Sequence, residues 1–122
     1  MADVERLIIP GAGVRLVADA VGAANAAPTL LFLHGSGQTR QSWGRALEEA
    51  ARRGYRALSL DLRGHGDSDW APDGKYTLES FAADIRQAIS YLGGHESEQR
   101  VAGYIERDAQ KQVRAPLVKL AT

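Results

Sequence analysis

Two short apolar runs, each emptying into a glycine-rich loop, constrain this chain more than any other feature. Leu30–Leu33 leads into His34-Gly35-Ser36-Gly37, and Ala57–Leu60 leads into Asp61-Leu62-Arg63-Gly64-His65-Gly66-Asp67-Ser68. Between them, Gln41–Arg53 sets Trp43, Ala46, Leu47 and Ala50 on one helical stripe. A continuous apolar strand is one covered on both faces, and strand–helix–strand order implies a right-handed crossover between parallel strands. The expectation is an α/β fold: an N-terminal hairpin, then a mostly parallel sheet flanked by helices. In such sheets ligands bind beyond the carboxyl ends of the strands, where both loops fall.

The flanking segments extend this layout. Val4–Ile9 and Val14–Ala20, separated by Pro10-Gly11-Ala12-Gly13, predict an antiparallel hairpin. Alternation of Val14, Leu16 and Ala18 with Arg15, Val17 and Asp19 predicts one more exposed face in its second strand. Gly54 sits where a helix end wants positive φ, and Tyr55–Leu60 is the next strand. Thr77 predicts an N-cap for a helix carrying Leu78, Phe81, Ala82, Ile85, Ile89 and Leu92, with Glu79 near its positive end and Gly93-Gly94 stopping it. Residues 1–94 thus form one unit. Residues 95–122 read as a tail of different character, helical from about Glu98 to Arg114 and ending in the apolar Leu117–Leu120.

Composition narrows the functional classes. At 122 residues the chain makes one domain at most. Fifteen basic residues balance fifteen acidic ones, so nucleic acid has no electrostatic footprint to meet. The absence of cysteine excludes disulfides, thiolate metal sites and a cysteine nucleophile. His34, His65 and His95 lack any local metal-ligand spacing, and neither a metal nor another cofactor is expected. No run approaches the ~18 apolar residues of a membrane span. The charged Met1-Ala2-Asp3-Val4-Glu5-Arg6 is unlike a secretory signal, so a cytoplasmic location is expected.

The loops carry what chemistry there is. Glycines in His34-Gly35-Ser36-Gly37 let the backbone come close to a ligand, so that N–H groups can aim at an oxygen gaining negative charge. His34 is expected to pack or hydrogen-bond within its loop. Asp61 and Arg63 are expected to order the second loop. His65 has only Asp67 as a nearby carboxylate, a poor setting for a general base. His95, Glu96 and Ser97 are adjacent in sequence and cannot aim at one another as a triad.

Residues 30–92 resemble the N-terminal part of an α/β-hydrolase, a family of mainly serine hydrolases. The resemblance rests on His34-Gly35, on the Asp61–Ser68 loop (Asp61, Arg63, Gly64, His65, Gly66 and Ser68), and on Gln38-Thr39-Arg40-Gln41-Ser42-Trp43, which is similar to esterase-like or peroxidase-like members. It implies that the backbone N–H of Ser36, alone or with that of Gly37, is an oxyanion donor. It also implies hydrolysis of an ester or related acyl bond by a serine nucleophile. In the family's strand order, Leu30–Leu33 lies between Ala57–Leu60 and the strand that carries the nucleophile.

The chain departs from the family where catalysis is concerned. Gly-x-Ser-x-Gly, due soon after Gly93-Gly94, is absent, and no histidine follows His95. No catalytic nucleophile, acid or base is identifiable. The resulting expectation is a truncated hydrolase, inactive alone. The alternatives are a non-catalytic binding module that keeps the pocket rim, or a fragment without selected activity. The partners expected are a small acyl or ester ligand, and a second copy or a complementing chain that pairs with an open sheet edge. Neither nucleic acid nor membrane is among them.

Overall fold

In the computed structural model the described residues are 3–24 and 29–93, with the backbone of two further strands, Arg100–Ala102 and Leu117–Leu120. In chain order the elements are β1 (Glu5–Pro10), β2 (Arg15–Val21), β3 (Thr29–Leu33), a 3-10 turn (Arg40–Trp43), α1 (Gly44–Arg52), β4 (Arg56–Leu60), α2 (Leu78–Tyr91), β5 (Arg100–Ala102) and β6 (Leu117–Leu120). The strands form one sheet in the order β1-β2-β4-β3-β6-β5.

Period-two geometry explains the continuous apolar runs. Leu31 and Leu33 of β3, with Leu58 and Leu60 of β4, face one side and pack with Ile9, Leu16, Ala88 and Ile89. Leu30 and Phe32, with Ala57, face the other side and pack with Leu47 and Ala50 of α1. Each face therefore has its own helix, α2 on the first and α1 on the second. Burying a leucine such as Leu31 or Leu58 contributes about 2–3 kcal/mol. Thr77 caps α2 by accepting the Ser80 N–H at 3.1 Å, and Gly54 takes φ 88° just after α1.

Four expectations need correction. The sheet is mixed rather than mostly parallel: β3–β4 is parallel, whereas β1–β2, β2–β4, β3–β6 and β5–β6 are antiparallel. Parallel pairing needs a crossover, and α1 supplies one only between β3 and β4. The more exposed face of the hairpin's second strand is present at Arg15 and, in part, at Asp19, but Val17 on that face is buried where the second glycine-rich loop bonds to its backbone. Leu78 and Ala82 are exposed, since the buried stripe of α2 starts at Phe81 and runs through Asp84, Ala88 and Ile89. Finally, Arg100–Ala102 is a strand, not the start of a helix: Val101 stands opposite Val118, and β-branched pairs suit a pleated ladder. The rest of the expected tail helix, and His95 with it, lies outside the described residues.

β6 takes the free side of β3, but only in part. The ladder joins Thr29, Leu30 and Leu31 to Leu120, Lys119 and Val118. The residue before Leu117 is a proline, which has no N–H to donate to a ladder.

Candidate functional site

Both glycine-rich loops leave the carboxyl ends of the parallel pair, β3 and β4, and they meet through histidines. His34 is fully buried at the end of β3. Its Nδ1 lies 2.7 Å from the Gly35 carbonyl, and its Nε2 accepts the Leu62 N–H at 3.0 Å. A carbonyl only accepts and an amide N–H only donates, so the proton is on Nδ1 and Nε2 is bare. Burial outweighs the Gly35 hydrogen bond and lowers the His34 pKa, keeping the ring neutral. His34 is thus a strut between the loops.

Beyond it the chain turns tightly. The Gln38 N–H donates to the Gly35 carbonyl at 3.1 Å, and the Gly35 N–H donates to Gln38 Oε1 at 3.0 Å. Gly37 has φ 78°, the left-handed region that glycine enters without strain. Ser36 and Gly37 are exposed at the crest. Their amides differ: the Gly37 N–H donates to His65 Nε2 at 3.2 Å, whereas the Ser36 N–H has no acceptor among the described residues. The pair of oxyanion donors expected from sequence is therefore one open donor and one engaged donor.

The second loop is held by two buried ion-pair networks. In the first, Asp61 is fully buried and takes the Arg40 N–H at 2.7 Å, the Arg40 guanidinium, and the Asp67 N–H at 3.0 Å. Arg40 Nη1 also reaches Asp67 at 2.9 Å, and its Nε lies 3.0 Å from Asp19, an ion pair outside hydrogen-bond alignment. Burial works against the Arg40 charge, but its interactions with Asp67, Asp19 and Asp61 outweigh it and raise its pKa. The bond from Arg40 likewise lowers the pKa of Asp67. In the second network, Arg63 grips the fully buried Asp84 of α2 through two bonds, 2.6 and 2.8 Å, which raises the arginine pKa. The same guanidinium donates to the carbonyls of Lys75 and Ala12.

Smaller contacts complete the loop. Ser68 is buried; its hydroxyl donates to the Asp61 carbonyl at 2.6 Å and accepts the Val17 N–H at 2.8 Å. Gly66, at φ 51°, sits where a Cβ would overlap the Asp61 carboxylate, and a Cβ on Gly64 would overlap the Tyr76 ring. His65 donates from Nδ1 to the Arg63 carbonyl at 2.9 Å. Its ring centroid stands 4.9 Å from that of His34.

The structure thus brings His34, Gly37, Leu62 and His65 together, and spends Asp61, Arg63, Gly64, Gly66 and Ser68 on holding the second loop. Sequence reasoning missed Arg40 and Asp84. Asp84 did carry a signal: a carboxylate on the stripe of Phe81 and Ala88, one turn from each, demands a buried cation. Among the described residues, no cluster of three or more His, Asp or Glu side chains could hold a metal ion. No described helix is long and apolar enough to cross a membrane.

The alpha/beta hydrolase fold family profile matches residues 28–96. Epoxide hydrolase 1 of Siraitia grosvenorii is 38% identical over 74 residues, 60% of this chain and 24% of its own length. An esterase of Mycobacterium tuberculosis is 39% identical over 66 residues, 52% of this chain and 21% of its own. Among solved structures, an epoxide hydrolase from Vigna radiata superposes with TM-score 0.67 and 32% identity, covering 74% of this chain and 29% of that one. The chain therefore spans about a quarter of the length of these relatives.

Proposed function

Because this chain belongs to the alpha/beta hydrolase family, we propose that it supplies the oxyanion side of a hydrolytic site and that the 122 residues do not by themselves turn over an ester or an epoxide. The observation carrying this reading is the hydrogen bonding of the two described histidines. A general base needs a bare ring nitrogen facing the nucleophile. The bare Nε2 of His34 is filled by the Leu62 N–H, and that of His65 by the Gly37 N–H. No serine stands in Gly-x-Ser-x-Gly to be activated. What the geometry offers is the open Ser36 amide, a donor fixed in place for the carbonyl oxygen of a small acyl ligand.

The substrate class follows the relatives, whose names divide between epoxides and esters. The test is turnover of p-nitrophenyl acetate and of styrene oxide by the purified chain, with fluorophosphonate labelling alongside. Rates at the buffer background and no stoichiometric label are expected. Turnover that disappears on mutating a labelled serine overturns the reading.

A second reading concerns a complementing chain, and the half-covered edge of β3 favours it. The ladder to β6 stops at Leu31, so among the described residues Phe32 and Leu33 have no ladder partner on that side. A strand with free N–H and C=O groups templates pairing with another chain. Zero net charge adds no repulsion between copies. Sedimentation over a concentration series is expected to show association. A monomer at all concentrations, with slow amide exchange at Phe32 and Leu33, removes this reading.

A further inference from the structure

Among the described residues, His65 links the two loops at a partly exposed position. With Nδ1–H committed to the Arg63 carbonyl at 2.9 Å, its Nε2 presents a lone pair to the Gly37 N–H at 3.2 Å. A proton added from solvent goes to Nε2, the only bare ring nitrogen. Two donors then face each other, Nε2–H and the Gly37 N–H, with the open Ser36 N–H beside them. An acceptor oxygen inserted between the donors satisfies both, and an anion also meets the new charge.

We propose that protonation of His65 converts the Ser36–Gly37 crest into a binding site for a small carboxylate, held by the amides of Ser36 and Gly37 and by Nε2–H of His65. This rests on the reading of the Ser36 amide as an oxygen-binding donor. The charged groups of the two networks around His65 are already engaged. From the turn before α1, Arg40 is committed to Asp19, Asp61 and Asp67; within the loop, Arg63 is committed to Asp84. From the end of β3, His34 faces His65 at 4.9 Å between ring centroids, and burial keeps it neutral to lower pH than a free histidine. From α2, the uncharged Phe81 packs at 6.3 Å. A carboxylate is also what ester hydrolysis releases together with a proton, so the site would respond to both products at once.

The test follows the backbone amides of Ser36 and Gly37 by NMR while sodium acetate is titrated against matched sodium chloride, at about pH 5.5 and about pH 8. Acetate is expected to move both amides saturably at the lower pH, with affinity at least about tenfold above that at the higher pH, the scale of one charge within a few ångströms. In His65→Gln, whose amide can accept the Gly37 N–H but gains no charge, the pH dependence is expected to vanish. A pH dependence that survives in that variant, or a Gly37 response equal at both pH values, overturns the proposal while a moving Ser36 amide leaves its premise standing. A Ser36 amide unmoved at either pH overturns the premise itself. Should His65→Gln not fold, the wild-type chain decides: binding and protonation are linked reciprocally. Acetate must then raise the titration midpoint of the His65 ring nitrogens, and an unchanged midpoint overturns the proposal.

Discussion

The two glycine-rich loops leave the same sheet edge and are built in opposite ways. The loop after β3 is short, exposed at Ser36 and Gly37, and closed by a single turn. The loop after β4 is anchored by two buried arginine–aspartate networks, a buried serine and two glycines with no room for a Cβ. The difference separates presentation from support. The first loop leaves an amide open at its crest, and the second fixes the strand ends beside it.

The strongest way to break this contrast is to empty the second network. Removing one member of a buried ion pair leaves an uncompensated charge, so Asp84→Ala is expected to cost about 3–5 kcal/mol, measured by urea unfolding. A cost under ~1 kcal/mol would show that Arg63 does not depend on this partner.

The glycines give a paired comparison. Gly66→Ala must both hold positive φ and displace the Asp61 carboxylate, together about 2–5 kcal/mol. Gly37→Ala meets nothing within 4 Å and pays only for its φ of 78°, about 1–2 kcal/mol. Equal costs by thermal or urea unfolding would erase the distinction between the loops.

Ser68→Ala strands the Val17 N–H and the Asp61 carbonyl, with an expected loss of about 1–3 kcal/mol and faster amide exchange at Val17. Unchanged exchange there would show that the two groups find each other without the hydroxyl.

The smallest effect is a slope. His34 has a folded pKa below its ordinary 6.5, so between the two values the unfolded chain binds more protons. Its contribution to stability is full above 6.5 and is lost as pH falls through the lowered folded value. His34→Gln should remove that part of the pH dependence of unfolding; an unchanged slope would mean that His34 carries no such linkage.

Much of this architecture is legible from local pattern. Thr77, Gly54, the two-faced β3 and the hairpin all follow from residues a few positions apart, where capping, positive φ and period-two burial operate. What escaped depends on partners distant in sequence. Asp84 receives the Ala12 N–H, 72 positions away, and Arg40 meets Asp61, 21 positions on. The buried Val17 gives its N–H to Ser68, 51 positions away. The site was legible as a loop with available amides. That His65 occupies one of them required the 28-residue approach of Gly37 to His65 to be seen in space.

Ser68 has a geometric consequence beyond its stability. β2 and β4 are in register up to Ala18 and Leu60, and the Asp61 N–H still reaches the Val17 carbonyl at 2.8 Å. The return bond of that rung is not made directly: the Val17 N–H goes to the Ser68 hydroxyl, which goes on to the Asp61 carbonyl. One oxygen is thus spliced into the last rung, which keeps one direct backbone bond and makes the other through a side chain. The first residue of the second glycine-rich loop is thereby tied back to β2 through one hydroxyl, so the point at which the chain leaves the sheet is set by Ser68 as well as by the last backbone bond.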